Sequence, residues 1–260
     1  MPATGNLMKL PLFTILLITL AVSHGPAVAQ TRKAIAPVKP KPTAARSAET
    51  GQWAVVVDET ISVLRRTPSL FSDLIQRMRR GRNVQILGVA EADGVKFYKV
   101  NAPPANYGWV QADAVFGKFR PGDEGRLARL AQAADGFEQL EIAVEFFDLY
   151  PDSNFRPAIL LLFGDLLEEA AAKMSKDAGS RLSRKEMAAS AAPLHSYYLN
   201  FNMLDRYRRL GIIFLFNSTT RQFHYDGARW KEIVVKHAVS HEAMEAKKRL
   251  DSLKQKMEKK

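Results

Sequence analysis

Between residues 54 and 116, apolar and polar positions alternate over short runs at 54–57, 61–64, 84–87, 96–100 and 109–110. Turn residues divide them: Thr67-Pro68-Ser69, Gly81-Arg82-Asn83, Gly88, Asp93-Gly94 and Pro103-Pro104. Strands this short and evenly spaced predict a small closed barrel or sandwich rather than a wide open sheet. After Gly117 the period becomes helical. A first helix is expected over 123–134, with Leu127, Leu130 and Ala131 on one face and Asp123 and Glu124 favouring its N-terminal dipole. A second spans 137–150 on Leu140, Val144 and Phe147, and Pro151 ends it. Ser153 offers an N-cap for a third, from 154 or 155 to 173. That helix is apolar around most of its circumference, leaving Asp165, Glu168, Glu169 and Lys173 as a solvent stripe.

Further on, 176–183 reads as a polar connector and 193–209 as a helix closed by Gly211. Residues 212–216 and 222–225 suit either two strands around Asn217-Ser218-Thr219-Thr220 or continued helix, since runs so short carry no decisive period. Asp226-Gly227 is a turn, followed by helices over 228–237 and 240–257. In the last, Glu245 is placed to pair with Arg249, and the helix is expected to cap a bundle with its basic end frayed. The fold class is therefore multi-domain β + α: a barrel over 51–117 and an α-helical domain over 122–257.

The N-terminus changes the picture of where the chain works. One positive charge, an apolar stretch over 10–22 and Ala27-Val28-Ala29 predict an export signal over 1–29, too short to span a bilayer. Residues 30–50 hold Pro37, Pro40, Pro42 and five basic side chains, which predicts a disordered, extended linker. The expected location is periplasmic or secreted, with no stable membrane span once the signal is removed. With no cysteine in the chain, lipid attachment at cysteine, disulfides and a thiol nucleophile are all excluded. A net charge of +11 favours acidic partners or simple solubility. Export disfavours nucleic acid as that partner.

The barrel segment resembles the bacterial SH3-like (SH3b) domain. The likeness rests on Leu64-Arg65, Pro68-Ser69, Leu74-Ile75, Met78, Gly81, Val84, Ile86-Leu87-Gly88, Gly94, Tyr98-Lys99-Val100 and Gly108-Trp109-Val110. Ser62 stands where that family has an apolar residue, and Phe97 where it has tryptophan. The resemblance implies recognition of a cell-wall peptide or glycan, with Phe97, Tyr98, Tyr107 and Trp109 as the ligand-binding residues. In the helical region, Glu141 to Ser153 and Trp230 to Ala243 share a plan of helix, break, serine and helix. Both resemble tetratricopeptide-like (TPR-like) hairpins, although Ser153 and Ser240 are not separated by a multiple of the usual repeat. That implies an irregular bundle holding an envelope protein partner.

Catalytic chemistry is sparsely represented. His237 and His241 have a spacing that suits a metal on one helix, but Ser240 reads as a cap between them and Ala238 stands where the zinc motif has glutamate. His224 and Asp226 offer an acid–base pair without a serine in a nucleophile context; a tight turn is the better explanation of them. No cofactor, metal or catalytic residue is assigned. The expected function is a non-enzymatic envelope-binding or scaffold protein, with a hydrolase centred on His224 and Asp226 as the alternative. A groove between barrel and first helices is the expected ligand site, with Phe116 and Phe119 packed at the junction.

Overall fold

The computed structural model describes residues 47–104, 106–182 and 192–259. The expected export signal and nearly all of the expected linker lie outside them. Seven antiparallel strands form one sheet: β1 (Trp53–Val56), β2 (Val63–Arg65), β3 (Leu74–Arg77), β4 (Asn83–Ala92), β5 (Val95–Ala102), β6 (Asn106–Gln111) and β7 (Val115–Phe116). Their order is β3-β2-β6-β5-β4-β1-β7. The sheet curls because β4 is long and bends. Its first residues pair with β1, the rest with β5, and the register shifts between Ile86 and Gly88. β3 and β7 are its two edges, so the expected closed barrel is a half-barrel. Two of the strands escaped the alternation pattern. β3 has no buried side chain, and β7 is two residues long.

Val56, Leu64, Ile86, Tyr98, Val100 and Val110 fill the inside of the curl. Ser62 is fully buried there, and its hydroxyl donates to the Met78 carbonyl at 2.6 Å. A satisfied hydroxyl therefore occupies the position expected to be apolar. The last linker residues fold back on the sheet: the Glu49 carboxylate accepts from Lys96 Nζ at 2.7 Å and from the Tyr98 hydroxyl at 2.8 Å.

The helical part comprises α1 (Asp123–Ala133), α2 (Gly136–Leu149), α3 (Arg156–Leu182), α4 (Leu194–Leu199), α5 (Asp205–Arg208), α6 (Ala228–Lys236) and α7 (His241–Glu258). α3 runs 27 residues, through the expected connector, because Ala171, Met174 and Ala178 continue its buried row at helical spacing. The helix expected over 193–209 is instead broken. Asn200 turns its amide onto the Ser196 carbonyl at 2.9 Å, and Phe201 is extended at φ −62° and ψ 121°. Residues 212–225 resolve as a hairpin, β8 (Phe214–Asn217) paired with β9 (Gln222–Tyr225). Asn217 makes its turn, accepting from the backbone N–H of Thr219 and Thr220, while Phe216 and Phe223 pack on Tyr198.

α7 packs on α3 and α6, and the Glu245–Arg249 pair forms at 2.5 Å. Its basic end is held rather than frayed: Asn217 Nδ2 donates to the carbonyls of Lys256 (2.9 Å) and Lys259 (3.2 Å). Ser240 occupies the N-cap position of α7, but its hydroxyl makes no capping bond. None of the helices is long and apolar enough to cross a membrane among the described residues.

The half-barrel and helices meet at a dense junction. Phe116 is buried in the helical core, beneath the Arg126 guanidinium at 4.0 Å. Phe119 stands edge-on to Tyr98 at 6.4 Å. Both phenylalanines thus pack at the junction as expected. Beside them, Arg80 bridges from the sheet to Glu138 and Glu141 of α2, and Gly81 (φ +78°) leaves no room for a Cβ beside the Glu145 carboxylate. Burial, reinforced by Asp148 and Glu141 and opposed by Arg80, pushes Glu145 up to about 7. An acid with a raised folded-state pKa favours folding while protonated, and that contribution is lost as pH climbs from about 4.5 through 7. Glu145→Gln is expected to raise stability at pH 8 by about 1–2 kcal/mol, well below the full value of the shift because the group is partly solvated. Thermal melts of both proteins at pH 5 and pH 8 measure this. Equal differences at the two values would remove Glu145 from the account.

Candidate functional site

Only part of the polar row of α3 faces open solvent: Glu169 and Lys173 are exposed as expected, whereas Asp165 and Glu168 are partly buried. Asp165, Glu168, Glu169, Ala172, Ser175, Lys176 and Gly179, one helix face at spacings of three and four, line one wall of a cavity of about 990 Å³. Lys248, Arg249, Ser252 and Lys256, on the same spacing along α7, line the facing wall. β9 and Trp230 complete the lining. The cavity thus lies within the helical part and does not use the expected groove between barrel and first helices.

α3 and β9 meet through α3 side chains, which cap the free edge of the two-stranded hairpin. The Phe223 N–H donates to Ser175 Oγ at 2.7 Å, and the Tyr225 N–H to Glu168 Oε2 at 2.9 Å. Backbone donors that would otherwise be orphaned are satisfied this way. Glu168 Oε1 also accepts from Lys256 Nζ at 2.7 Å and contacts His224 Nδ1 at 2.9 Å. Burial opposes its ionisation, but the bonds from His224, Lys256 and the Tyr225 N–H outweigh it and hold the carboxyl down at about 2. Glu168 is therefore an ionised anchor, not a member of a solvent stripe. Because a carboxylate only accepts, the His224 proton must sit on Nδ1. Nε2 is left as an acceptor in the neutral ring and a second donor in the charged one.

His224 is 5 % exposed, lines the cavity, and its Nε2 has no partner among the described residues. The Trp230 indole N–H and the Thr220 hydroxyl, on residues that also line the cavity, are likewise buried and unpaired. Asp226 does not serve His224. Its carboxylate accepts from the Ala228 N–H at 2.9 Å and starts α6. The pair expected from sequence is replaced by Glu168 and His224, 56 positions apart.

The charges around the cavity are uneven. Six basic side chains line it against three carboxylates. Asp165 is paired with Arg249, Glu168 with Lys256, and Glu169 with Lys173. Lys176, Arg221 and Lys259 make no ion pair among the described residues and are exposed at its mouth. Arg221 closes the β8–β9 turn at φ +57°, a conformation that side-chain-bearing residues seldom adopt.

Of the residues singled out on the half-barrel, the register places Phe97, Tyr107 and Trp109 on one face of β5 and β6 and Tyr98 on the other. Phe97 and Tyr98 are fully buried, which corrects their expected exposure: the sheet is covered on both faces at that point of β5. Tyr107 is 57 % exposed and Trp109 half-buried, two apart on β6 and so on one face. Phe71, Leu74 and Ile75 are exposed at and before the β3 edge, and the Ile75 side chain crowds Gly108 beside Tyr107. His237 and His241 sit on either side of the break between α6 and α7. No group of three His, Asp or Glu side chains is placed to hold a metal among the described residues. No match was found among protein-family models, curated proteins or solved structures.

Proposed function

We propose that the protein is an exported, non-enzymatic binding protein of the cell envelope. In this reading, the half-barrel is an SH3b-type module and the helices form an irregular TPR-like bundle around a ligand cavity. The observation that carries it is the cavity: roomy, walled by pre-paired charges, and holding a buried imidazole nitrogen with nothing to bond. Sites of this size with a few converging polar groups are where small molecules bind. The half-barrel contributes Tyr107 and Leu74, both exposed and in register through Arg65 and Trp109 on one face of the sheet, as apolar side chains suited to a wall peptide or glycan. Sedimentation of the mature protein with purified sacculi tests the envelope role. Pelleting at both low and physiological salt, weakened by Tyr107→Ala and Leu74→Ser together, is the expected result. No pelleting in either salt sinks the cell-wall version.

Glu168 and His224 also favour a second reading, hydrolysis, since a carboxylate-oriented imidazole is the base of many hydrolases. Against it, Ser175 already donates its proton to the Ala171 carbonyl, and no hydroxyl bonds His224 among the described residues. His224→Ala discriminates. The binding reading expects no turnover in either protein, whereas the hydrolase reading expects turnover that the substitution abolishes without lowering the melt.

A further inference from the structure

Taking the cavity to be a ligand site, as proposed above, we infer that its ligand is a small phosphomonoester: a phosphoryl group on an apolar body. The inference starts from what the cavity leaves unsatisfied. At its mouth, Lys176, Arg221 and Lys259 face no carboxylate, whereas each acid of the lining is already bound by a base. An anion is therefore the complement, since these exposed cations can pair with it without displacing an acid already bound. Deeper in, His224 Nε2 is unpartnered, and Glu168 keeps the ring proton on the opposite nitrogen. A neutral His224 thus needs a donor from the ligand, while the mouth needs acceptors.

A phosphomonoester meets both demands. As the monoanion, populated below its second pKa of about 6, it carries one P–O–H group to donate to Nε2 of the neutral ring. As the dianion it accepts from Nε2 of the charged ring, and in both states further oxygens remain for Arg221 and the lysines. A carboxylate offers acceptors alone, and a phosphodiester monoanion has no hydroxyl to give. The remaining walls, Phe223, Tyr198 and Trp230, suit an apolar or aromatic body. Arg221 adds an independent sign. An arginine placed where the hairpin turn favours glycine (φ +57°) is retained at some conformational cost, as happens where a side chain serves a site.

That same strain supplies a clean variant. Arg221→Gly relieves the turn, so its melt should be unchanged or higher than that of the parent protein. Phenyl phosphate, titrated calorimetrically and followed by tryptophan fluorescence, is expected to bind the parent protein, with inorganic phosphate weaker. Arg221→Gly should weaken phenyl phosphate at least tenfold, and His224→Phe should do so as well. Benzyl alcohol serves as the neutral probe of the same cavity. Sedimentation with phosphatidic acid vesicles separates sources: pelleting lost in Arg221→Gly points to a lipid headgroup, and binding of phenyl phosphate without pelleting points to a soluble ester. Phenyl phosphate that binds Arg221→Gly as well as the parent overturns the inference. So does benzyl alcohol binding without phenyl phosphate, which leaves the cavity standing as a site of another class. Binding of neither at millimolar concentration removes the cavity reading itself.

Discussion

Gly164→Ala is expected to destabilise the protein by about 2–4 kcal/mol, the reverse of what helix propensity predicts. Glycine inside a helix ordinarily costs about 1 kcal/mol relative to alanine, so the substitution should help. At Gly164 a Cβ would lie 2.2 Å from Trp230 Nε1 and under 3 Å from two further indole atoms. Trp230 is 2 % exposed, set edge-on to Tyr225 at 5.3 Å, and cannot retreat without opening the core between α3 and α6. Gly179, near the C-terminal end of the same helix, is the control: no atom lies within 4 Å of its Cβ position, so Gly179→Ala should gain up to about 1 kcal/mol. Chemical denaturation of the two variants decides it. A Gly164→Ala protein as stable as Gly179→Ala would show that Trp230 does not need the glycine.

Asp123→Ala is expected to cost about 3–5 kcal/mol and to loosen the half-barrel from the helices. Asp123 is 2 % exposed, accepts from the Gly117 N–H (3.1 Å) and Arg120 Nε (2.7 Å), and forms an ion pair with Arg126 Nη2 (3.2 Å). Removing it strands the partly buried Arg120 guanidinium and a backbone donor at once, and leaves Arg126 only its ion pair with the exposed Asp113 (2.6 Å) among the described residues. The other bonds of Arg120 and Arg126, to the carbonyls of Ala112 and Val115, keep both cations where they then repel each other. Limited trypsin digestion reads the consequence. The native junction should resist cutting at Lys118 and Arg120, and Asp123→Ala should be cut there while the melt falls. A variant that melts early yet stays uncut would mean that the junction is held by Phe116 and Phe119 instead.

Periodicity carried a long way into this chain because it reports burial directly. Short alternating runs became strands of one sheet, and the 3–4 spacing after Gly117 became helices within a residue or two of their observed ends, as with α1, α6 and α7. Glu245 with Arg249 was legible because the partners stand one helical turn apart, and the packing of Phe116 because two phenylalanines stand in so short a link. Where a local signal was absent or contradictory, tertiary contacts decided. β3 pairs by backbone alone, the 212–225 hairpin exists because Asn217 turns the chain onto Tyr198, and α3 continues because Ala171 to Ala178 find a core.

The candidate site lay on the far side of that divide. The row Asp165, Glu168, Glu169 on an apolar helix was visible in sequence, but a polar stripe looks the same whether it meets water or a cavity. Only the fold sets Glu168 against His224 and Lys256, 56 and 88 positions away, and the energy of those bonds depends on burial that no local pattern records. What the sequence determined by itself is the division into strands and helices and the absence of thiol chemistry. What the tertiary structure decided is which charges are neutralised and which are left for a ligand, because electrostatic pairing follows distance in space.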